Sequence, residues 1–151
     1  MFTRKMQDFM ISTDKKLLDI QIIHSYLSER SYWAQGIPIK IVQRSIKHSI
    51  CFGVYEKEQQ IGFARLVTDQ ATFAYLADVF ILETHRRLGL SKWLMQCIHE
   101  YPGTKNLRRW MLTTKDAHSL YAQFNWKPLN EDLASRIMLI NFPGMYLKDK
   151  K

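Results

Sequence analysis

Cysteine is scarce in this chain of 151 residues, and proline and glycine are sparse, with two, four and six copies respectively. Cys51 and Cys97 form no CxxC pair and show no ligand-like spacing, so neither a disulfide framework nor a zinc site is expected. They read as buried thiols of a reducing compartment. The five histidines, His24, His48, His85, His99 and His118, lack the i, i+3 or i+4 spacing of a metal site, and no metal is expected. Long hydrophobic runs are missing as well. The uncharged runs FAYLA and VFIL, on either side of Asp78, fall far short of the ~20 apolar residues that span a bilayer. The opening MFTRKMQDFMISTDKK has no apolar stretch that would serve as a signal-peptide core. A cytoplasmic protein without a membrane partner is the expectation. Two phosphate-binding signatures are also absent, since the chain contains neither GxxxxGK[ST] nor GxGxxG.

With 46% hydrophobic and 24% charged residues, the chain has the balance of one globular domain over 1–151. The net charge of +8, from 22 basic and 14 acidic residues, points to a polyanion or to a smaller phosphorylated ligand. Distribution favours the second. Basic residues concentrate only briefly, at Arg86/Arg87, at Arg108/Arg109 and in the tail at 147–151, which reads as a frayed, solvated end. No basic block or heptad run supports nucleic acid as a partner.

Periodicity supplies the element order. FMIST (9–13) reads as a short strand, and Ser12, Thr13 or Asp14 as the cap of a helix with Leu18, Ile22, Ile23, Tyr26 and Leu27 on one stripe. A second helix is predicted over 38–48. SICFGVYEKE, QIGFARLVTDQ and TFAYLADVFILE, joined by short links, predict a three-strand antiparallel meander. Leu90, Trp93, Leu94, Cys97, Ile98 and Tyr101 then mark a helix stopped at Pro102-Gly103. RRWMLTT predicts a strand. Asp116 should cap a last helix lined by Ala117, Leu120, Tyr121 and Phe124, and WKPL and RIMLINF should supply two closing strands. The fold class is thus α/β, a mixed, mostly antiparallel sheet flanked by helices.

One stretch carries chemistry. In HRRLGLSKWL (85–94) a strand delivers the chain to a basic turn from which a helix starts at Leu90. The free N–H groups and positive dipole end of a helix start make an anion site. Gly89 lets a ligand oxygen approach the main chain, and Arg86 and Arg87 add charge-assisted hydrogen bonds. Ser91 is placed to cap the helix or to donate its hydroxyl to a phosphate. The pattern Arg86-x-x-Gly89-x-Ser91 resembles the cofactor motif [Q/R]-x-x-G-x-[G/A] of the GNAT superfamily of acyl-CoA-dependent N-acyltransferases, with Ser in place of Gly or Ala. DAHSLYAQFNW (116–126) is similar to that family's A-x-x-L-Y-x-x-x-G-F at Ala117, Leu120 and Tyr121, with Asn125 replacing the glycine. Thr114 stands where many relatives have Asn.

The resemblance covers nearly the whole chain and implies acetyl-CoA as cofactor. Main-chain groups of Phe80 and Ile81 would pair with its pantetheine arm, Arg86, Arg87, Leu88, Gly89, Leu90, Ser91 and Lys92 would surround its pyrophosphate, and Thr114 would also contact it. Tyr121 would be the general acid toward the departing thiolate. For the base, Asp78 and Glu83 are the candidates. An Arg65–Asp78 ion pair across the hairpin is an equal alternative for Asp78, because a carboxylate within an apolar strand needs a partner. Tyr32 and Trp33, in the loop where this fold shapes its acceptor pocket, would rim that pocket with Arg65 and Tyr75. The acceptor is then a primary amine of a small molecule or a peptide, with a carboxylate suggested by Arg65. A homodimer is a further possibility. The competing readings are a non-catalytic acyl-CoA sensor on the same scaffold, which would not need Tyr121, and a basic nucleic-acid-binding domain.

Overall fold

The computed structural model describes residues 1–147, so the expected frayed tail, apart from Leu147, lies outside the described residues. Six strands form one sheet in chain order: β1 (Thr3–Met6), β2 (Phe9–Ser12), β3 (Ile50–Glu56), β4 (Gln59–Thr68), β5 (Phe73–Ile81) and β6 (Arg109–Met111). Every neighbouring pair is antiparallel except β5 and β6. The meander β3–β5 follows the predicted links. β1 is an addition. Its TRKM sequence has no apolar alternation, and it becomes a strand by pairing with β2 across a turn in which Gln7 takes φ +53°.

The helices are α1 (Ile20–Ser25), α2 (Ile39–Lys47), α3 (Leu90–Glu100), α4 (His118–Ala122) and α5 (Glu131–Arg136). Two apolar clusters hold all but α5 to the sheet. One joins Ile23, Tyr26 and Leu27 of the first helical stretch and Val42 and Ile46 of α2 to Phe63 and Phe80. The other joins Leu90, Leu94, Met95 and Ile98 of α3 to Phe52, Val54 and Leu66. Each such fully buried side chain contributes roughly 1.5–3 kcal/mol. Packing, not capping, therefore secures α3, whose N-cap Gly89 makes no side-chain hydrogen bond.

Local chemistry differs from expectation at several ends. Asp19 caps α1, accepting from the N–H groups of Gln21 and Ile22, while Asp14 caps a separate 3-10 turn at Lys15–Leu17. α1 runs on into a π-helical turn, Tyr26–Arg30, of the kind found at functional sites. Asp116 does not cap α4; Thr114 Oγ1 accepts from the Ala117 N–H at 3.0 Å instead.

The two closing strands are absent. Trp126 is drawn into the end of α4, where its N–H donates to the Tyr121 carbonyl and Asn125, at φ +65°, donates to Ala122. That is a left-handed helix stop, and Asn tolerates the conformation as Gly does. Asn125 thus keeps the backbone geometry that a glycine would supply. The start of RIMLINF is taken by α5, capped by Asn130, and its remainder has no regular secondary structure.

Candidate active site

Sheet geometry opens the site. β6 pairs with β5 only at Phe73, Ala74 and Tyr75, so from Leu76 to Ile81 that side of β5 has no strand beside it. A side-chain hydrogen bond of 2.8 Å between Tyr75 and Thr113 bridges the two where they begin to part. Within the open stretch, Asp78 sits at a register shift with φ +55°, a bulge of the kind that re-aims side chains beside active sites. Phe80 and Ile81 have buried side chains, leaving only their main chain available, and Phe80 stacks on Tyr26 at 3.9 Å.

The open edge leads into the basic turn. Arg87 and Gly89 take φ +64° and +76°, and the first bond of α3 runs from the Trp93 N–H to the Gly89 carbonyl at 3.1 Å. Among the described residues no main-chain N–H from Arg87 to Lys92 has an acceptor. Six consecutive main-chain donors are therefore left without a protein acceptor at a helix start, the arrangement of an anion site. A Cβ on Gly89 would meet nothing within 4 Å, so the space in front of this backbone is free for a ligand. The residues present fit a pyrophosphate group. Arg87, Leu88 and Lys92 are exposed around it and Ser91 is half-buried, whereas the Leu90 side chain is buried in the core and contributes its N–H alone.

Arg86 is already positioned. Its Nε donates to the Ile81 carbonyl at 3.4 Å, its Nη2 donates to the Tyr26 hydroxyl at 3.2 Å, and it pairs with Glu83 at 3.5 Å. Glu83 also pairs with Arg30 at 2.9 Å. A hydrogen bond from its own N–H, reinforced by Arg30 and Arg86, holds the Glu83 carboxyl below its usual range. His85 is not the exposed residue its setting suggests; it is part-buried against Glu56 at 3.2 Å.

Tyr121 faces the cleft from α4. Its residue surface is 9% exposed, yet its hydroxyl has no hydrogen-bond partner among the described residues and is not fully enclosed. Burial chiefly, with Tyr32 and Asp116 adding to it, pushes its pKa up to about 12. It therefore stays protonated across the physiological range, as a proton donor must.

The acceptor side is assembled from distant segments. Trp33 Nε1–H donates to Asp78 Oδ1 at 2.9 Å, Arg65 Nε donates to Asp78 Oδ2, and Arg65 Nη1 donates to Ser49 Oγ at 3.2 Å. Asp78 is thus held through both oxygens, while Arg65 uses Nε and Nη1 and leaves Nη2 without a partner among the described residues. The Lys115 N–H donates to the Tyr32 hydroxyl at 2.8 Å, tying the early loop to the segment before α4. Tyr32 and Trp33, half-exposed and edge-to-face at 5.0 Å, also line a cavity of about 340 Å³ completed by Gln35, Phe142, Met145 and Tyr146 among others. Arg65 and Tyr75 do not line it. Sequence reading missed Tyr26, Arg30, Lys115 and the 141–147 wall. No local signal marks them, because their contacts to the site are 60, 53 and 83 residues apart along the chain for the first three.

The model of the acetyltransferase (GNAT) domain matches residues 47–128, which hold β4, β5, the basic turn and Tyr121. A Gibberella zeae protein, an acetyltransferase by assignment, is 34% identical over 77% of each chain. A crystal structure from Xanthomonas campestris pv. campestris, assigned to the same family, superposes with a TM-score of 0.89 at 45% identity, covering 94% of this chain and 99% of its own. The fold also matches a GNAT acetyltransferase from Elizabethkingia anophelis solved with acetyl-CoA bound, at TM-score 0.59 and 11% identity, over 79% of this chain and 76% of that one. The chain belongs to the GNAT acetyltransferase family.

Proposed function

We propose that this protein moves an acetyl group from acetyl-CoA to a primary amine by direct attack within a ternary complex. The observation that carries the reading is the continuity of the unpaired edge of β5 with the six free N–H groups of the turn, while Tyr121 on α4 keeps a hydroxyl without a partner among the described residues. Acetyl-CoA supplies an activated thioester. The N–H groups from Arg87 to Lys92, with Arg86 and Lys92, hold a diphosphate, and the open main chain at Val79 to Ile81 aligns an extended amide-bearing arm alongside the strand. Thr114 Oγ1 is engaged by the N–H of Ala117, the residue that precedes α4, and acts by fixing the start of that helix rather than by direct contact.

Tyr121 donates its phenolic proton toward the developing thiolate. A pKa near 12 makes it a weak acid but keeps the proton in place until charge appears. Asp78, on the acceptor side, has both oxygens engaged by Trp33 and Arg65, so it positions these neighbours and the amine proton passes to solvent water. Glu83 is poorly suited to be a base, because two arginines hold it ionised, and it serves to position Arg86.

For the acceptor, a small molecule or a peptide end, the cavity beside Tyr32 and Trp33 favours an amine with an apolar or aromatic body. Arg65 spends its Nε on Asp78 and its Nη1 on Ser49 and lies outside the cavity lining, so it does not select a carboxylate there. A thiol-release assay with acetyl-CoA over a panel of arylalkylamines, amino acids and peptides tests this. Turnover highest with carboxylate-bearing acceptors would overturn the acceptor assignment. Calorimetry showing no heat with acetyl-CoA or CoA would overturn the whole reading.

A further inference from the structure

Strands that have parted share no ladder of hydrogen bonds to fix their spacing, and β5 and β6 part after Tyr75. Another device must therefore set how far Tyr121 stands from the open edge of β5. The near end of the gap is closed by the Tyr75–Thr113 hydrogen bond at 2.8 Å. Beyond it, residues 112–117 have no regular secondary structure. They lead into α4, which carries Tyr121 and is only five residues long. A helix that short is not held by its own propensity.

Tyr32 and Trp33 span the gap. Trp33 Nε1–H donates to Asp78 Oδ1 on β5 at 2.9 Å, the two rings pack edge-to-face at 5.0 Å, and the Tyr32 hydroxyl accepts the Lys115 N–H at 2.8 Å. Among the described residues that is the only main-chain N–H across 113–116 with an acceptor. The Lys115 ammonium lies 5.7 Å from the centre of the same ring, a second contact to one side chain. Directly after it, the Ala117 N–H is taken by Thr114, so the tethered segment runs straight into the start of α4.

The loop that presents the pair is far better anchored than the segment it holds. Ser31 and Ala34, on either side, are 4% and 6% exposed. Ser31 Oγ donates to the Leu27 carbonyl at 2.6 Å and accepts the Ala34 N–H at 3.1 Å, and the Gly36 N–H returns to the Ser28 carbonyl at 2.9 Å. The fixed partner sets the position of the loose one. After burial, Tyr32 is the next cause of the raised Tyr121 pKa, so this aromatic pair and the acid are neighbours.

Building on the acetyl-transfer reading, we propose that the Tyr32–Trp33 pair is a strut across the gap between β5 and the segment entering α4. Tyr32 is thereby a positioning residue for Tyr121 as well as part of the acceptor wall. A pair that only lined the cavity would need the Tyr32 ring; a strut needs its hydroxyl.

Tyr32→Phe separates the two, since it keeps the ring and removes the acceptor of the Lys115 N–H. Tyr32 is half-exposed, so the thermal transition and the calorimetric affinity for acetyl-CoA should be retained. With phenethylamine, or whichever amine of the panel turns over fastest, KM should hold while kcat falls on the order of 10- to 100-fold, the cost of a small misplacement of reacting groups. Without any substrate, amide exchange followed by NMR should quicken at Lys115. Trp33→Phe cuts the strut at its other end and should also lower kcat, and the double variant should fall little further, because both changes break one unit. Unchanged kcat in Tyr32→Phe overturns the proposal, whatever happens to KM. So do losses that multiply in the double variant, or Lys115 exchange that does not change. If the unaltered protein turns over no amine, the acetyl-transfer reading fails, and the exchange measurement alone decides the strut.

Discussion

The two walls of the cleft are built in opposite ways. The coenzyme wall is contiguous: Asp78 to Lys92 supplies the bulge, the open edge, the turn and the helix start within fifteen residues. The acceptor wall draws on Tyr32 and Trp33, on Arg65 through Asp78, on Lys115, and on the segment 141–147. The first is a backbone device, for which φ values and free N–H groups matter more than side chains. The second depends on side chains meeting across the fold. A contiguous backbone device suits a donor common to many enzymes, and a wall of scattered side chains can vary with the acceptor.

The largest effect that sharpens this contrast belongs to Tyr121, which stands where the walls meet. Tyr121→Phe should lower kcat roughly 100- to 10,000-fold while calorimetric affinity for acetyl-CoA is unchanged; unchanged turnover would show that Tyr121 is not the acid. On the acceptor wall, Asp78→Ala removes one partner of a buried pair and orphans Arg65 and Trp33. It should cost about 3–5 kcal/mol in chemical denaturation.

On the coenzyme wall, Arg86→Ala should weaken acetyl-CoA binding by about 1.5–3 kcal/mol, since charge-assisted bonds are lost, with little change in stability. Loss spread over many lysines and steep in salt would instead indicate nucleic acid. Gly89→Ala should cost only about 1–2 kcal/mol in stability, because φ +76° is disfavoured while the new Cβ meets nothing. Its larger consequence should appear in acetyl-CoA affinity, as the methyl group intrudes on the free space before the turn.

The smallest expected effect is a pH dependence outside both walls. His99 on α3 stacks on Trp110 and Phe124 and accepts from Trp126 Nε1–H at 3.0 Å, and burial holds its pKa down. The unfolded chain binds that proton more readily, so stability rises with pH. The contribution is present above about pH 6.5, the unfolded value, and is lost as pH falls through the lower folded one. Melting curves should therefore weaken on acidification, and His99→Phe should flatten that slope.

Much of the backbone geometry of the wall proposed for the coenzyme was legible because its signals are local. Gly89 between a strand and an apolar helical stripe announces the turn, and the Ala117-Leu120-Tyr121 spacing announces the inward face of α4. Asn125 shows why a departure in letters need not be one in geometry: it takes the left-handed stop that glycine would. The closing strands at WKPL and RIMLINF were misread for an equally physical reason. Residue types suited to a strand do not make one without an edge to pair with. β1 is the converse, a strand of poor composition made by its partner.

By itself the sequence determined the meander, the α3 stripe with its stop at Pro102-Gly103, and the strand–turn–helix around Gly89, all of which depend on backbone preferences within a few residues. Only the tertiary structure decided that β5 and β6 part after Tyr75, that Arg65 is committed to Asp78, and that the C-terminal segment walls the cavity while Met138, Leu139 and Ile140 stay exposed. Those outcomes rest on contacts between residues far apart in the chain, where no local propensity acts.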